Sequence, residues 1–397
     1  MSNPTADVTH RVLILMAHTG GGHLRAAEAI KEALCRRHGH CVSVEMVDAL
    51  GEYAPWPFSR LAEIYPWWIK RAVATWRWGY RLTDGRRRAT ALLRLFWPWV
   101  WPRARCLLRR HPADVIVSVH PLTNHVFAWA LQRLGEPTRR VPLITLVTDP
   151  VSVHPFWLSP GVDHCLVGSA EALHKALACG LKPGQVRVTG LPVSPCFVDG
   201  LIDKVQARRA LGWSLERPVV LVIGGGEGMG PLYQIARAIE GACPRVQLAV
   251  VTGRNQRLGA RLAATAWRVP LHVYGFVDRS REMPRLMSAA DLLITKAGPG
   301  TIHEAFLAGL PLILSAAIPG QEEGNVRLAV DGGAGVWAPD PREAAALVAR
   351  WLSAEDDTLA RMAACSRALA RPHAAAAVAD EIWRAVAPTE EMLGPRR

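Results

Sequence analysis

Nowhere do the 397 residues hold the roughly 18 uninterrupted apolar positions that a membrane-spanning helix needs. The first residues are polar and the apolar run behind them is only strand length, which is not the pattern of a secretory leader. The sequence therefore predicts a protein that is neither secreted nor membrane-spanning. The eight cysteines (Cys35, Cys41, Cys106, Cys165, Cys179, Cys196, Cys243 and Cys365) are scattered, without the paired short spacing that binds zinc or forms a redox couple. A reduced, cytosolic setting and no metal site are expected. Acidic residues are also short, 34 against 47 basic ones, and the formal charge of +13 calls for an anionic partner. Nucleic acid and acidic lipid headgroups are the two ordinary candidates.

What the chain does hold is enough apolar material, 50% of all residues, for two cores at the usual 100 to 200 residues per domain. Apolar, β-branched runs alternate with helical stretches: 12–16, 42–47, 115–119, 143–147, then 219–223, 248–251, 292–295 and 312–314. Continuous rather than every-other apolar residues indicate parallel strands covered on both faces. The expected fold is α/β, two doubly wound, Rossmann-like halves facing a central cleft. The prolines and glycines of "GLPVSPCFVDG" place a boundary near residue 196, giving domains 1–195 and 196–397. Beyond Pro339 the chain reads as alanine-rich helix to about residue 386, and its last helix could pack back on the first domain.

One segment, about 53–110, breaks the rhythm. It carries Trp67, Trp68, Trp76, Trp78, Trp97, Trp99 and Trp101 among arginines, including Arg86, Arg87 and Arg88, with only Glu63 and Asp84 as acids between Trp56 and Trp101. Indole at headgroup level and guanidinium on lipid phosphate suit a membrane interface. Single-stranded nucleic acid is the other use of this composition, and a helical insertion with tryptophans in its core is the plain one.

Three glycine-rich turns each follow a strand and precede a helix: "HTGGGHLRAAEAI" (18–30), "VIGGGEGMG" (222–230) and "TKAGPGTIHEAFLAGLP" (295–311). Any tight strand-to-helix turn favours glycine, so each alone is equally an ordinary turn. Three of them at the carboxyl ends of strands, where open α/β sheets bind ligands, carry more. In the third, Gly298, Gly300 and Thr301 would offer backbone N–H groups and a hydroxyl to a diphosphate at a helix start. Glu304, one turn on, could bond a ribose or simply be a first-turn acid. In the first turn His23 follows directly on Gly21 and Gly22, and an unperturbed pKa near 6.5 would suit a general base.

Together these stretches, with "SVHPLTNH" (118–125), "TDPVSVHPFWLSPGVDHCLVGSAEA" (148–172), "VTGRN" (251–255), "VYGFV" (273–277) and "PGQEEGN" (319–325), resemble the inverting GT-B glycosyltransferases of the monogalactosyldiacylglycerol synthase and processive diacylglycerol glycosyltransferase family. The resemblance runs through both halves in order. It implies transfer of a hexose, galactose or glucose, from a UDP-sugar substrate to diacylglycerol at a membrane surface, with no further cofactor. His23 matches the proposed base. Gly225, Gly226, Arg254, Phe276, Val277, Gly298, Pro299, Gly300, Thr301, Glu304, Gln321, Glu322 and Asn325 fall on the donor side. Gly21, Gly22, His120, Asp149, His154 and Trp157 fall on the acceptor side. The tryptophan-arginine segment would dock on anionic lipid, leaving no nucleic-acid partner and a peripheral place on the cytoplasmic face of the membrane. Its tryptophan content departs from the family. A GT-B-fold UDP-sugar epimerase, a transferase to another lipid-linked acceptor and a non-catalytic binding protein are the alternatives.

Overall fold

Short runs dominated by Val, Leu and Ile, each closed by glycine, proline or a polar turn, become the strands. The computed structural model describes residues 9–19, 21–135, 141–353 and 357–386. Gly20 lies outside them, as do the side chains at 66, 67, 69 and 70, so the lipid assignment of Trp67 falls outside the described side chains.

Among the described residues the strands make two sheets of six, all of their pairs parallel. The first holds β1 (His10–Met16), β2 (Val42–Asp48), β3 (Val115–Ser118), β4 (Leu143–Leu146), β5 (His164–Val167) and β6 (Val186–Val188), in the order β2-β1-β3-β4-β5-β6. The second holds β7 (Val219–Ile223), β8 (Gln247–Val251), β9 (Leu271–Tyr274), β10 (Leu292–Lys296), β11 (Leu312–Ala316) and β12 (Gly335–Trp337), in the order β12-β11-β10-β7-β8-β9. Four of these strands, β5, β6, β9 and β12, have no counterpart in the apolar runs. Three of them are edge strands with half-exposed side chains, and β5 opens on a histidine, so none presents the unbroken apolar run of a central strand.

The chain divides into two compact units, one built from residues up to Ser194 and from His373 onward, the other from Pro195–Pro372. The alanine-rich tail is three helices rather than one, Pro341–Trp351, Thr358–Leu369 and Ala374–Val386. Pro372, whose ring forbids a helical continuation, stands between the last two. The final helix buries Ala375, Val378, Ala379 and Ile382 in the first unit's core beside Val12, Ile14, Ile30 and Leu34. Trp383 stacks on His38 with ring centroids 3.9 Å apart.

Between β2 and β3 the first unit carries helices α2 (Leu61–Arg71), α3 (Val73–Thr83) and α4 (Arg86–Arg110) after α1 (Gly22–His38). Their tryptophans divide by environment. Trp97 and Trp101 pack against the core cluster of Leu107, Phe127 and Trp157, Trp97 also edge-on to Trp129 and Trp101 under the Arg133 guanidinium. Both rings are only partly buried, so this packing takes one side of each. Trp68 donates to Thr75 Oγ1 at 2.7 Å and meets Trp76 ring to ring. Trp78 and Trp99 stand out at 69% and 58% exposure. Arg86 packs over Gly180 and Arg88 bonds the Asp84 carbonyl, while Arg87 is exposed.

Candidate active site

In the first unit the turn after β1 reverses through Gly21, whose φ of +72° is a left-handed conformation that a side chain would strain. It sets His23 in the first turn of α1, and the Gly21 carbonyl accepts from both the Arg25 amide and Arg25 Nε. His23 Nδ1 lies 3.1 Å from Thr148 Oγ1, and the ring is edge-on to His120 (centroids 4.7 Å apart) and tilted over Trp157 at 5.7 Å. Burial pushes its pKa down to about 4, against a smaller upward pull from the N–H it donates to the Val119 carbonyl. The value near 6.5 expected from the sequence is corrected accordingly: a neutral ring among neutral neighbours has nothing to hold a proton.

The other histidines of this cluster have both ring nitrogens engaged. His120 Nδ1 accepts from the Leu122 amide, capping helix α5 (Pro121–Leu134), which puts the N–H on Nε2, 3.0 Å from Thr19 Oγ1. His154 Nδ1 accepts from the Phe156 amide, so its Nε2–H faces Thr83 Oγ1 (3.2 Å) and the Tyr80 carbonyl of α3. Burial holds His120 well below the usual histidine range and His154 at about 4. The first cap fixes the chain at His120 beside His23, and the second fixes the turn that leads to Trp157. The Trp157 indole, fully buried, donates to Asp149 Oδ2 at 2.8 Å.

The second unit places two glycine turns at the ends of neighbouring strands, β7 and β10. The helix Pro299–Leu307 starts with Gly298 as cap and proline first, so the chain enters it with the leading N–H groups free of helical partners. Lys296, the last residue of β10, spans the two turns. A Cβ on Gly225 would stand 3.3 Å from its Cε, and one on Gly298 would stand 3.0 Å from its Nζ, so the lysine occupies the space those two positions leave. Its ammonium bonds Glu322 Oε1, and Glu322 Oε2 accepts from the Ile318 amide at 2.9 Å. Glu304 is held in the same manner by Arg279, Nε to Oε1 at 3.0 Å and Nη2 to Oε2. Both carboxylates are at most 5% exposed, and a buried carboxylate requires such a partner.

Asn325 Nδ2 donates to the Ala297 carbonyl at 2.9 Å, tying its helix to the strand end, and Gln321 lies one residue before Glu322. Phe276 is exposed with the Arg254 guanidinium over its ring at 4.9 Å, and Arg254 also pairs with Glu227 of the β7 turn; Val277 is buried. Gly226 accepts from the Arg254 amide at 2.8 Å. The residues expected on the donor side thus follow the ends of β7, β8, β9, β10 and β11. Lys296, Arg279, Thr148 and Thr19 went unnoticed in the sequence. Lys296 had a signal, a lone cation between a strand and a glycine turn. Arg279 had none, because only the fold brings it to Glu304.

Among the described residues, no cluster of three or more histidines, cysteines or acids could hold a metal, and no helix is long and apolar enough to cross a membrane. Residues 23–193 match the family model described as monogalactosyldiacylglycerol (MGDG) synthase, and residues 219–366 match the glycosyltransferase family 28 C-terminal domain. Monogalactosyldiacylglycerol synthase 2, chloroplastic, of Arabidopsis thaliana is 38% identical over 384 residues, 95% of this chain and 81% of that protein. The chloroplastic synthase of Spinacia oleracea is 38% identical over 371 residues, 92% and 70% of the two chains. MurG of Acinetobacter baumannii shares the two-sheet GT-B fold with a TM-score of 0.59 at 16% identity, over 94% of this chain and 99% of its own.

Proposed function

This chain belongs to the monogalactosyldiacylglycerol synthase family, and from that premise we propose that it transfers a hexose, galactose in preference to glucose, from a UDP-sugar to the hydroxyl of diacylglycerol. The observation that carries the reading is the 38% identity to a named synthase along 95% of the chain. In the reaction, the acceptor oxygen attacks the anomeric carbon as its proton passes to His23, and UDP leaves from the opposite side, inverting the configuration in one step. A base role needs one ring nitrogen of His23 to keep the N–H donated to the Val119 carbonyl and the other to offer its lone pair to the acceptor hydroxyl. A ring with a pKa of about 4 is wholly in its base form at neutral pH. It takes the proton late, once bonding to carbon has made the hydroxyl acidic.

The departing diphosphate gathers charge at the start of the helix Pro299–Leu307, where the helix dipole and its leading N–H groups stabilise an anion. Lys296 adds a full positive charge there by trading Glu322 for phosphate, and Glu322 is then free to accept from a hexose hydroxyl. The transferase reading is tested by supplying diacylglycerol with UDP-galactose or UDP-glucose and identifying the lipid product by mass and sugar analysis. Epimerised UDP-sugar formed without lipid would sink it.

Access to an insoluble acceptor assigns the helical insertion to the membrane surface, with Trp56, Trp78, Leu95 and Trp99 as the apolar contacts and nearby arginines facing anionic headgroups. Replacing Trp78 and Trp99 together by alanine lowers partition onto anionic vesicles about tenfold or more and leaves the unfolding temperature unchanged. Replacing Trp97 instead costs about 2 kcal/mol of stability, because its ring packs on the core. Cosedimentation and thermal unfolding of the two variants check this, and equal effects on both readouts would remove the distinction.

A further inference from the structure

Arg279 lies two residues beyond Val277, in the segment between β9 and the helix Glu282–Ala289. Its guanidinium meets Glu304 fork to fork, with Nε 3.0 Å from Oε1 and Nη2 on Oε2, and Nη2 is also 3.5 Å from Thr301 Oγ1 in the diphosphate turn. Glu304 is 5% exposed, and neutralising it would need only one cation at any angle. A two-point fork does more. A carboxylate has about four lone-pair directions, and Arg279 takes one on each oxygen, which fixes the plane of the group and leaves one acceptor direction per oxygen.

We propose that Arg279 is a positioning residue that holds Glu304 as a two-point acceptor for the vicinal 2′- and 3′-hydroxyls of a ribonucleoside diphosphate, so that the second unit selects ribonucleotides over deoxyribonucleotides. The proposal rests on the donor-site reading of Glu304 given above. Two hydroxyls on adjacent ribose carbons match two acceptors on one carboxylate only while the carboxylate plane is held. A Glu304 released from the fork turns about its side-chain bonds and satisfies one hydroxyl at a time, so the loss of either hydroxyl from the ligand then matters less. Lysine is a poor substitute, because an ammonium is a point charge without the planar pair of donors.

Calorimetric titration of the full chain with UDP, 2′-deoxy-UDP and 3′-deoxy-UDP tests this. The wild-type protein is expected to bind UDP about tenfold or more tighter than either deoxy form, the range for a hydrogen bond to a charged group. In Arg279→Ala the preference falls to about threefold or less, and in Arg279→Lys it falls between. Preference unchanged in Arg279→Ala overturns the proposal, as does tighter UDP binding by that variant, which would make Arg279 a competitor for the ribose position. Equal binding of all three ligands by the wild-type protein overturns it too. A wild-type protein that binds no UDP refutes the donor-site reading itself, a result separable from the others because it needs no variant. Thermal unfolding without nucleotide verifies each variant, and if Arg279→Ala does not fold, Arg279→Lys and Arg279→Gln carry the same comparison.

Discussion

His23→Ala is expected to lower turnover about a thousandfold or more while leaving UDP affinity within about twofold of wild type, the range that a positioned general base contributes. The asymmetry follows from placement. His23 belongs to the first unit, with Thr148, His120 and Trp157 around it, whereas the turns assigned to the diphosphate and ribose belong to the second. His23→Gln, which keeps a polar side chain of similar reach but cannot accept a proton, should be as inactive as the alanine variant. The pH profile adds an independent reading. A base with an ordinary histidine pKa would bend the rate downward below pH 6.5, but a ring at about 4 keeps the rate flat through pH 5.5 on account of this group. Initial rates taken within minutes of dilution from a neutral stock separate the two. Retained turnover in either variant would remove His23 from the base role.

The second large effect concerns stability in acid, and it falls mainly on the first unit. Burial lowers the pKa of the deeply set His23, His120, His125 and His154 there, and of the half-buried His38, and of His272 and His303 in the second unit. A histidine whose folded pKa is depressed is neutral in both states above about pH 6.5, so it contributes no pH dependence there. Below that value the unfolded chain takes up protons that the folded chain refuses, and stability falls until the folded pKa, about 4 for His23, His154 and His303, is reached. Each such group contributes at most about 1.4 kcal/mol per pH unit, so several acting together remove a sizeable part of a typical domain's stability.

Two of the four deeply set rings have a further reason to resist. His120 and His154 accept amide protons through Nδ1, and protonation would remove that acceptor; at His120 it would also set a positive charge at the positive end of α5. Hydrogen exchange at pH 7.5 and pH 5 should therefore show the sheet of β1 to β6 losing protection before that of β7 to β12. Equal loss in the two sheets would mean that these rings are hydrated more than their packing implies.

Central strands were legible in the sequence because burial on both faces writes itself as an unbroken apolar run; 219–223 is the plainest case, and it is β7 residue for residue. Edge strands such as Val186–Val188 and Gly335–Trp337 bury one face or less, and nothing in three mixed residues separates them from loop. The glycine turns were legible for the same reason, since position after a strand is a local property. Partnership across the fold is not local. Arg279 and Glu304 are 25 residues apart, and Thr148 meets His23 across 125, so neither the fork nor the hydroxyl beside the base leaves a trace in spacing. The tryptophan-rich helices show the opposite limit. Composition marked the segment, but the choice between core and surface for Trp97 against Trp99 turns on the rotation of α4 against α5, where Trp97 meets Trp129.

The return of the chain to its first unit after Pro372 governs the order in which the protein can form as it leaves the ribosome. Residues 195–372 are complete as a unit while the tail is still being made, but the first unit, begun hundreds of residues earlier, lacks Ala375, Val378, Ala379 and Ile382 from its core until the helix Ala374–Val386 emerges. The half synthesised first is thus the half finished last, and during synthesis the part of its core that α1 leaves uncovered stays open for the time that some 180 residues take to be added, seconds to tens of seconds at ordinary elongation rates.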